Sequence, residues 1–115
     1  MKFYVITGFQ EKGNEYVKKG KKCYSDAIDC YNRAINQKAL ADAEHSILYS
    51  NRAHVNLLLG NYRRALQDAE EAIKLSPTNV KAFYRAVKAS MSLNLLAEAK
   101  SYCEKGLEQS PEMMN

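Results

Sequence analysis

Small residues recur in this chain at a fixed interval, and that interval restricts the fold more than any other feature. Ala65 and Ala99, Ala72 and Gly106, and Pro77 and Pro111 each stand 34 positions apart. A period of this length marks a stack of supersecondary units, none of which can bury its apolar face alone. A third copy precedes these two: Gly20, then Tyr24-Ser25-Asp26-Ala27-Ile28, Tyr31 and Ala34-Ile35. Ala27 lies 38 positions before Ala65, so the first unit carries four extra residues before the second begins.

Within each unit the apolar spacing is helical. Ile47 to Leu59 and Tyr62 to Leu75 carry apolar residues three and four apart, and Gly60-Asn61 marks the turn between them. Ala65, Ala69 and Ala72 share one face of the second helix, where their size permits close approach of a neighbour. Ser76-Pro77-Thr78-Asn79 ends that helix and offers a cap to the next. Thr7-Gly8-Phe9-Gln10 fits a capping box, with Thr7 as N-cap and Gln10 at the third helical position. These signals predict helices over 8–19, 24–37, 47–59, 62–75, 80–92 and 96–109. The organisation is a non-repeat segment at 1–6, three repeats at 7–45, 46–79 and 80–111, and a tail at 112–115. Scarce breakers, with five Gly and two Pro in 115 residues, argue against an all-β fold.

The period of 34, the aromatic after a glycine turn and the closing proline resemble the tetratricopeptide repeat family. The resemblance implies an all-α, right-handed helical solenoid of three helix-turn-helix repeats. The first helix of each repeat would line a concave binding surface. No further helix fits after Pro111. The stripe Leu96, Ala99, Cys103 and Leu107 is therefore expected to be partly exposed, which reads as a fragment or as weak self-association.

On the three first helices, Gln10, Asn14 and Val17, then Asn51, His54 and Leu58, then Lys81, Arg85, Lys88 and Ser92 each form one stripe. The stripes hold two asparagine amides (Asn14 and Asn51), three cations (Lys81, Arg85 and Lys88) and no carboxylate. Such a surface suits a carboxylate ligand, because amide N–H groups donate to its oxygens and Lys and Arg add charge-assisted bonds. The segments Glu11-Lys12-Gly13-Asn14, Leu48-Tyr49-Ser50-Asn51-Arg52-Ala53 and Val80-Lys81-Ala82-Phe83-Tyr84-Arg85 resemble the carboxylate-clamp class of these repeats. That class consists of co-chaperone adaptors that hold the acidic Glu-Glu-Val-Asp tails of heat-shock protein 90 and heat-shock protein 70. The resemblance assigns the clamp to Asn14, Asn51, Lys81 and Arg85. It departs at Gln10, where the class has Lys. Candidate groove contacts are Gln10, Val17, His54, Leu58 and Lys88. The long turn at 18–22 and the loop at 36–42 further resemble the tetratricopeptide repeat protein 4 family of co-chaperones.

Other function classes find less support. Seventeen Lys and Arg against 13 Asp and Glu leave a charge of +4, well short of a dense nucleic-acid patch. Lys18, Lys19, Lys21 and Lys22 read as a solvated turn, with no aromatic ladder for stacking bases. No apolar run approaches a membrane span, and Met1 to Phe9 does not make a signal peptide. Cys23, Cys30 and Cys103 form no CxxC pair and read as free thiols of a cytoplasmic protein, with the nucleus a second location. His45 and His54 are read on different elements, which disfavours a metal pair; no metal or cofactor is implied. No nucleophile with a base, carboxylate pair or phosphate loop appears, so the chain is not read as an enzyme. The rival reading is a scaffold whose groove takes an internal peptide or helix, indifferent to a terminal carboxylate.

Overall fold

A computed structural model describes residues 2–37 and 41–110, with side chains of the first helix from Gly8 onward. The helices are α1 (Lys2–Lys18), α2 (Tyr24–Ile35), α3 (Asp42–Leu58), α4 (Tyr62–Leu75), α5 (Val80–Ser92) and α6 (Leu96–Gln109), with a 3-10 turn at Lys21–Cys23. They form three antiparallel hairpins, α1–α2, α3–α4 and α5–α6, stacked in chain order with α3 also packed on α5. Among the described residues there is no strand. Pro111, the tail at 112–115 and part of the loop at 36–42 lie outside the described residues.

Two helix starts differ from the sequence reading. α1 begins at Lys2, so Thr7 lies inside a helix and the capping box at 7–10 does not form. Extending a nucleated helix costs far less than starting one, so a capping signature within it can go unused. α3 begins at Asp42 instead of 47, with Asp42 and Glu44 in its first turn, where carboxylates favour the helix dipole. That added turn is tied down by side chains. His45 Nε2 lies 3.1 Å from the Ile35 carbonyl, and Ser46 Oγ donates to the Ala72 carbonyl at 2.7 Å. His45 and His54 therefore stand on the same helix, not on different elements.

The turns closing the second and third hairpins are built alike. Gly60 (φ 80°) and Asn94 (φ 60°) both adopt the left-handed conformation. In each case the next amide reaches back to the helix: Asn61 N–H donates to the Asn56 carbonyl and Leu95 N–H to the Ser90 carbonyl, both at 2.8 Å. Glycine adopts this backbone freely, and asparagine is among the few other residues that tolerate it.

The core is made of small residues. Ala27, Ala34, Ala53, Ala65, Ala69, Ala72, Ala82, Ala86 and Ala89 expose no surface. Two clusters result. Ala27, Tyr31, Ala34, Leu48 and Val55 fill the first hairpin against α3. Ala53, Ala65, Leu66, Ala69, Ala86 and Ala89 join α3, α4 and α5. Of the tyrosines whose side chains are described, Tyr31 alone is buried; Tyr62 is exposed and the rest are half-buried. Their rings cover apolar surface while the hydroxyls reach water or a partner. Tyr102, for example, donates to Glu70 across α6 and α4. On α6, Ala99 is buried, Cys103 and Leu107 are half-buried and Leu96 is 62% exposed, so the expected apolar exposure falls mainly on one residue.

A polar network crosses these helices. Arg52 on α3 pairs with Asp68 on α4 through Nε–Oδ2 (2.9 Å) and Nη2–Oδ1 (2.7 Å), and its Nη1 donates to Asn32 Oδ1 on α2 at 2.7 Å. Asn56 Nδ2 donates to Asp68 Oδ2 at 3.1 Å. Removing one partner of a largely buried charged pair strands the other. Arg52→Ala is expected to lower unfolding stability by about 2–4 kcal/mol in urea denaturation. An unchanged midpoint would show that the network carries no net stability.

Candidate functional site

The third hairpin owes its placement to Asn79. Its Oδ1 accepts from the Ala82 amide at 3.2 Å and so caps α5. Its Nδ2 donates to Ser46 Oγ at 2.8 Å, and Ser46 in turn binds the Ala72 carbonyl. One side chain thus fixes the start of α5 against α3 and α4. The cap expected from Ser76-Pro77-Thr78-Asn79 is present, and it sets which face of α5 meets α3.

Between α3 and α5 lies an open cavity of about 480 Å³, lined by His54 and Leu58 from one helix and Tyr84, Arg85, Lys88 and Met91 from the other. His54, Leu58, Arg85 and Lys88 are thus brought together as the stripe spacing implied. Tyr84 and Met91 were not anticipated; they flank the α5 stripe instead of lying on it. Tyr84 sits beneath the cations, with Lys88 Nζ 5.1 Å and the Arg85 guanidinium 5.7 Å from its ring centre. A ring face in that position attracts cations and keeps them in the groove.

The cavity wall is electropositive, and no Asp or Glu is among the described residues that line it. α5 contains no acidic residue. Among the described residues the one salt bridge is Arg52–Asp68, away from this wall. Arg85 is half-buried, and its Nε is shielded from water without a hydrogen-bond partner among the described residues. Burial pulls the Arg85 pKa below its ordinary value. The same field acts on His54. Burial first, then the charges of Arg85, Lys88 and Lys81, hold its pKa below the ordinary 6.5. Of these cations, Arg85 and Lys88 line the cavity together with His54.

The remaining candidates divide. Asn51 is half-buried on α3, one turn before His54, and Lys81 is exposed one turn before Arg85. Asn14 is exposed on α1, and its Oδ1 accepts a hydrogen bond from the Tyr31 hydroxyl at 2.5 Å. Gln10 is half-buried in the middle of α1 and has no capping position there. Val17 is half-buried and packs against the first core cluster, and like Gln10, Asn14, Asn51 and Lys81 it is not among the residues lining the cavity. Among the described residues no group of three His, Cys, Asp or Glu could hold a metal, and no helix is long and apolar enough to cross a membrane. The three cysteines are free thiols, and burial raises the pKa of Cys30.

A stack of helical hairpins with a cationic groove between the first helices of successive units defines a repeat-built binding protein. The comparisons with known proteins agree. Tetratricopeptide repeat models match residues 46–79 and 80–113, the second and third hairpins. The tetratricopeptide repeat protein 4 homolog of Dictyostelium discoideum is 34% identical over 103 residues, 90% of this chain and 26% of that protein. The Hsp70/Hsp90 co-chaperone CNS1 of Saccharomyces cerevisiae is 38% identical over 97 residues, 84% of this chain and 25% of that protein. Its solved structure superposes with a TM-score of 0.87 at 34% identity, over 96% of this chain and 35% of that one. The first repeat domain of Spaghetti (RPAP3), solved with the HSP90 peptide SRMEEVD, superposes with a TM-score of 0.84 at 31% identity, over 95% of this chain and 84% of that one. This chain belongs to the tetratricopeptide repeat family, and it spans about a quarter of the length of the curated relatives it matches.

The position of His54 gives a pH dependence with a definite sign. Its proton is held less tightly in the folded chain than in the unfolded one, so its contribution to stability is present above pH 6.5 and is lost as pH falls below that value. The melting temperature of the parent is expected to drop between pH 7.5 and 5.5, and that of His54→Ala to drop less. Equal drops in both would place the acid sensitivity elsewhere.

Proposed function

We propose that this chain is a recruitment module that captures the acidic C-terminal tails of heat-shock protein 90 and heat-shock protein 70, with Asn14, Asn51, Lys81 and Arg85 as the carboxylate clamp. The observation that carries the reading is Arg85. A half-buried guanidinium, flanked by Lys81 and Lys88, whose Nε has no partner and whose cavity holds no acid among the described residues, is incomplete without an anion. A peptide carboxylate supplies both the charge and the acceptor oxygens, and each charge-assisted bond is worth about 1.5–3 kcal/mol. Tail capture by relatives supports the same ligand. CNS1 is a co-chaperone of Hsp70 and Hsp90, and the RPAP3 domain holds a tail ending in EEVD.

The role is recruitment, without catalysis, in the cytoplasm, where free thiols such as Cys23 and Cys103 stay reduced. Gln10 is the weak point. It donates a hydrogen bond but adds no charge, so the tail is held about 1–2 kcal/mol less tightly than by a clamp with Lys there.

Calorimetric titration with a peptide ending in Glu-Glu-Val-Asp, as free acid and as C-terminal amide, tests the reading. Saturable binding of the acid, lost with the amide, is expected. Lys81→Ala and Arg85→Ala are each expected to abolish it with the far-UV helical signal intact, and Gln10→Lys to tighten it about 5- to 30-fold. Parent-like binding by both alanine variants would refute the clamp. Equal binding of acid and amide would favour the rival scaffold, whose groove takes an internal segment.

A further inference from the structure

We infer that Tyr31 is a positioning residue for tail capture: its hydroxyl, reaching from α2 to Asn14 Oδ1 on α1, turns the Asn14 amide so that its NH₂ group faces an incoming carboxylate. The inference rests on the clamp reading and deepens it.

Tyr31 is 2% exposed, and the rest of its ring is core. The ring lies against the α1 backbone at Gly13. A Cβ added there would stand 2.6 Å from Tyr31 Cε1 and 3.0 Å from Cζ, closer than real side chains approach. Glycine at position 13 therefore lets the ring edge reach α1 and brings its hydroxyl to the very next residue, Asn14. Gly13, Asn14 and Tyr31 form one device: a gap, an amide and a pin.

The pin has a consequence for binding. An asparagine amide has an acceptor end and a donor end of nearly the same shape, and its terminal torsion is broad. A carboxylate only accepts, so Asn14 serves it only with NH₂ outward. On an exposed side chain both orientations would be populated. A hydroxyl proton directed at Oδ1 biases that choice. In the reverse orientation NH₂ would donate to the hydroxyl oxygen, and the buried O–H proton would lose its acceptor, which disfavours that orientation. Burial pushes the Tyr31 pKa up to about 12, so the hydroxyl keeps its proton across the physiological range. The outward orientation of the donor end of Asn14 is thus favoured before the ligand arrives.

Tyr31→Phe tests this, because it keeps the ring against Gly13 and removes only the hydroxyl. Parent, Tyr31→Phe, Asn14→Ala and the double variant would be titrated with the Glu-Glu-Val-Asp peptide as free acid and as amide. Tyr31→Phe is expected to weaken the free acid about 3- to 10-fold and to shrink the acid-to-amide affinity ratio by the same factor. In the Asn14→Ala background the same change is expected to have less than about a twofold effect. A purely structural role for the hydroxyl would lower thermal stability but would leave that ratio unmoved. An unchanged ratio in Tyr31→Phe, or an equal loss with and without Asn14, overturns the inference while the parent still separates acid from amide. A parent that does not separate them overturns the clamp itself, and with it any part for Tyr31 in capture.

Discussion

The structure depends on how closely α3 can be approached from both sides. Its residues Leu48 and Val55 belong to the first core cluster, and Ala53 belongs to the second. Alanines that expose no surface share those clusters: Ala27 and Ala34 on α2, Ala65 and Ala69 on α4, Ala86 and Ala89 on α5. A side chain without rotatable bonds loses no rotamer entropy on burial and lets backbones come together. The apolar area buried by each is small, so cohesion comes from many close contacts instead of a few large anchors. The groove follows from the same seam. Because α5 packs directly on α3, His54 of one helix and Arg85 and Lys88 of the other line one cavity.

Close packing of smooth helices leaves register poorly specified, and polar side chains supply what alanine does not. The Arg52–Asp68 pair with Asn32 and Asn56 ties α2, α3 and α4. The chain Asn79–Ser46–Ala72 ties α3, α4 and α5. Each bond is directional, so a slip along the helix axis breaks all of them together. Both networks include α3, the helix that also carries Asn51 and His54. The same residues that fix the stack therefore fix the angle at which the groove is presented.

The repeat was legible because its signals are local. Gly60 and Pro77 punctuate the chain, and the alanine face of α4 has helical spacing. The spacing of Lys81, Arg85 and Lys88 placed three cations on one face, and the cavity joins two of them to His54. Other features depended on partners far along the chain. The early start of α3 is held by Ser46 on the Ala72 carbonyl, 26 residues away, and no window of sequence contains both. Asn94 could have been recognised as the turn residue matching Gly60, since it occupies the same place in the next repeat. Tyr31 and Tyr62 illustrate the limit for aromatics. Both follow a glycine turn in their repeat, yet Tyr31 is buried against Gly13, which makes room for its ring, and Tyr62 is exposed.

The groove is also where the chain departs from the rule that buried charge is paired. Arg52 is half-buried and has Asp68; Arg85 is half-buried and pairs with no acid among the described residues. The contrast shows in their proton affinities, raised for Arg52 by its carboxylate and lowered for Arg85 by burial. Holding an unpaired guanidinium out of water costs folding stability, and crowding it with Lys81, Lys88 and a neutralised His54 adds to that cost. In a core selected for stability alone, such a position would be apolar. Its retention in the one cavity shared by α3 and α5 makes sense if an anion completes the pairing, because the desolvation of Arg85 is then already met before the ligand arrives. Pre-payment of this kind turns more of each ion–ion contact into affinity. The Tyr31–Asn14 contact follows the same logic in neutral form: a donor is oriented in advance, so that little ordering is left for the moment of binding.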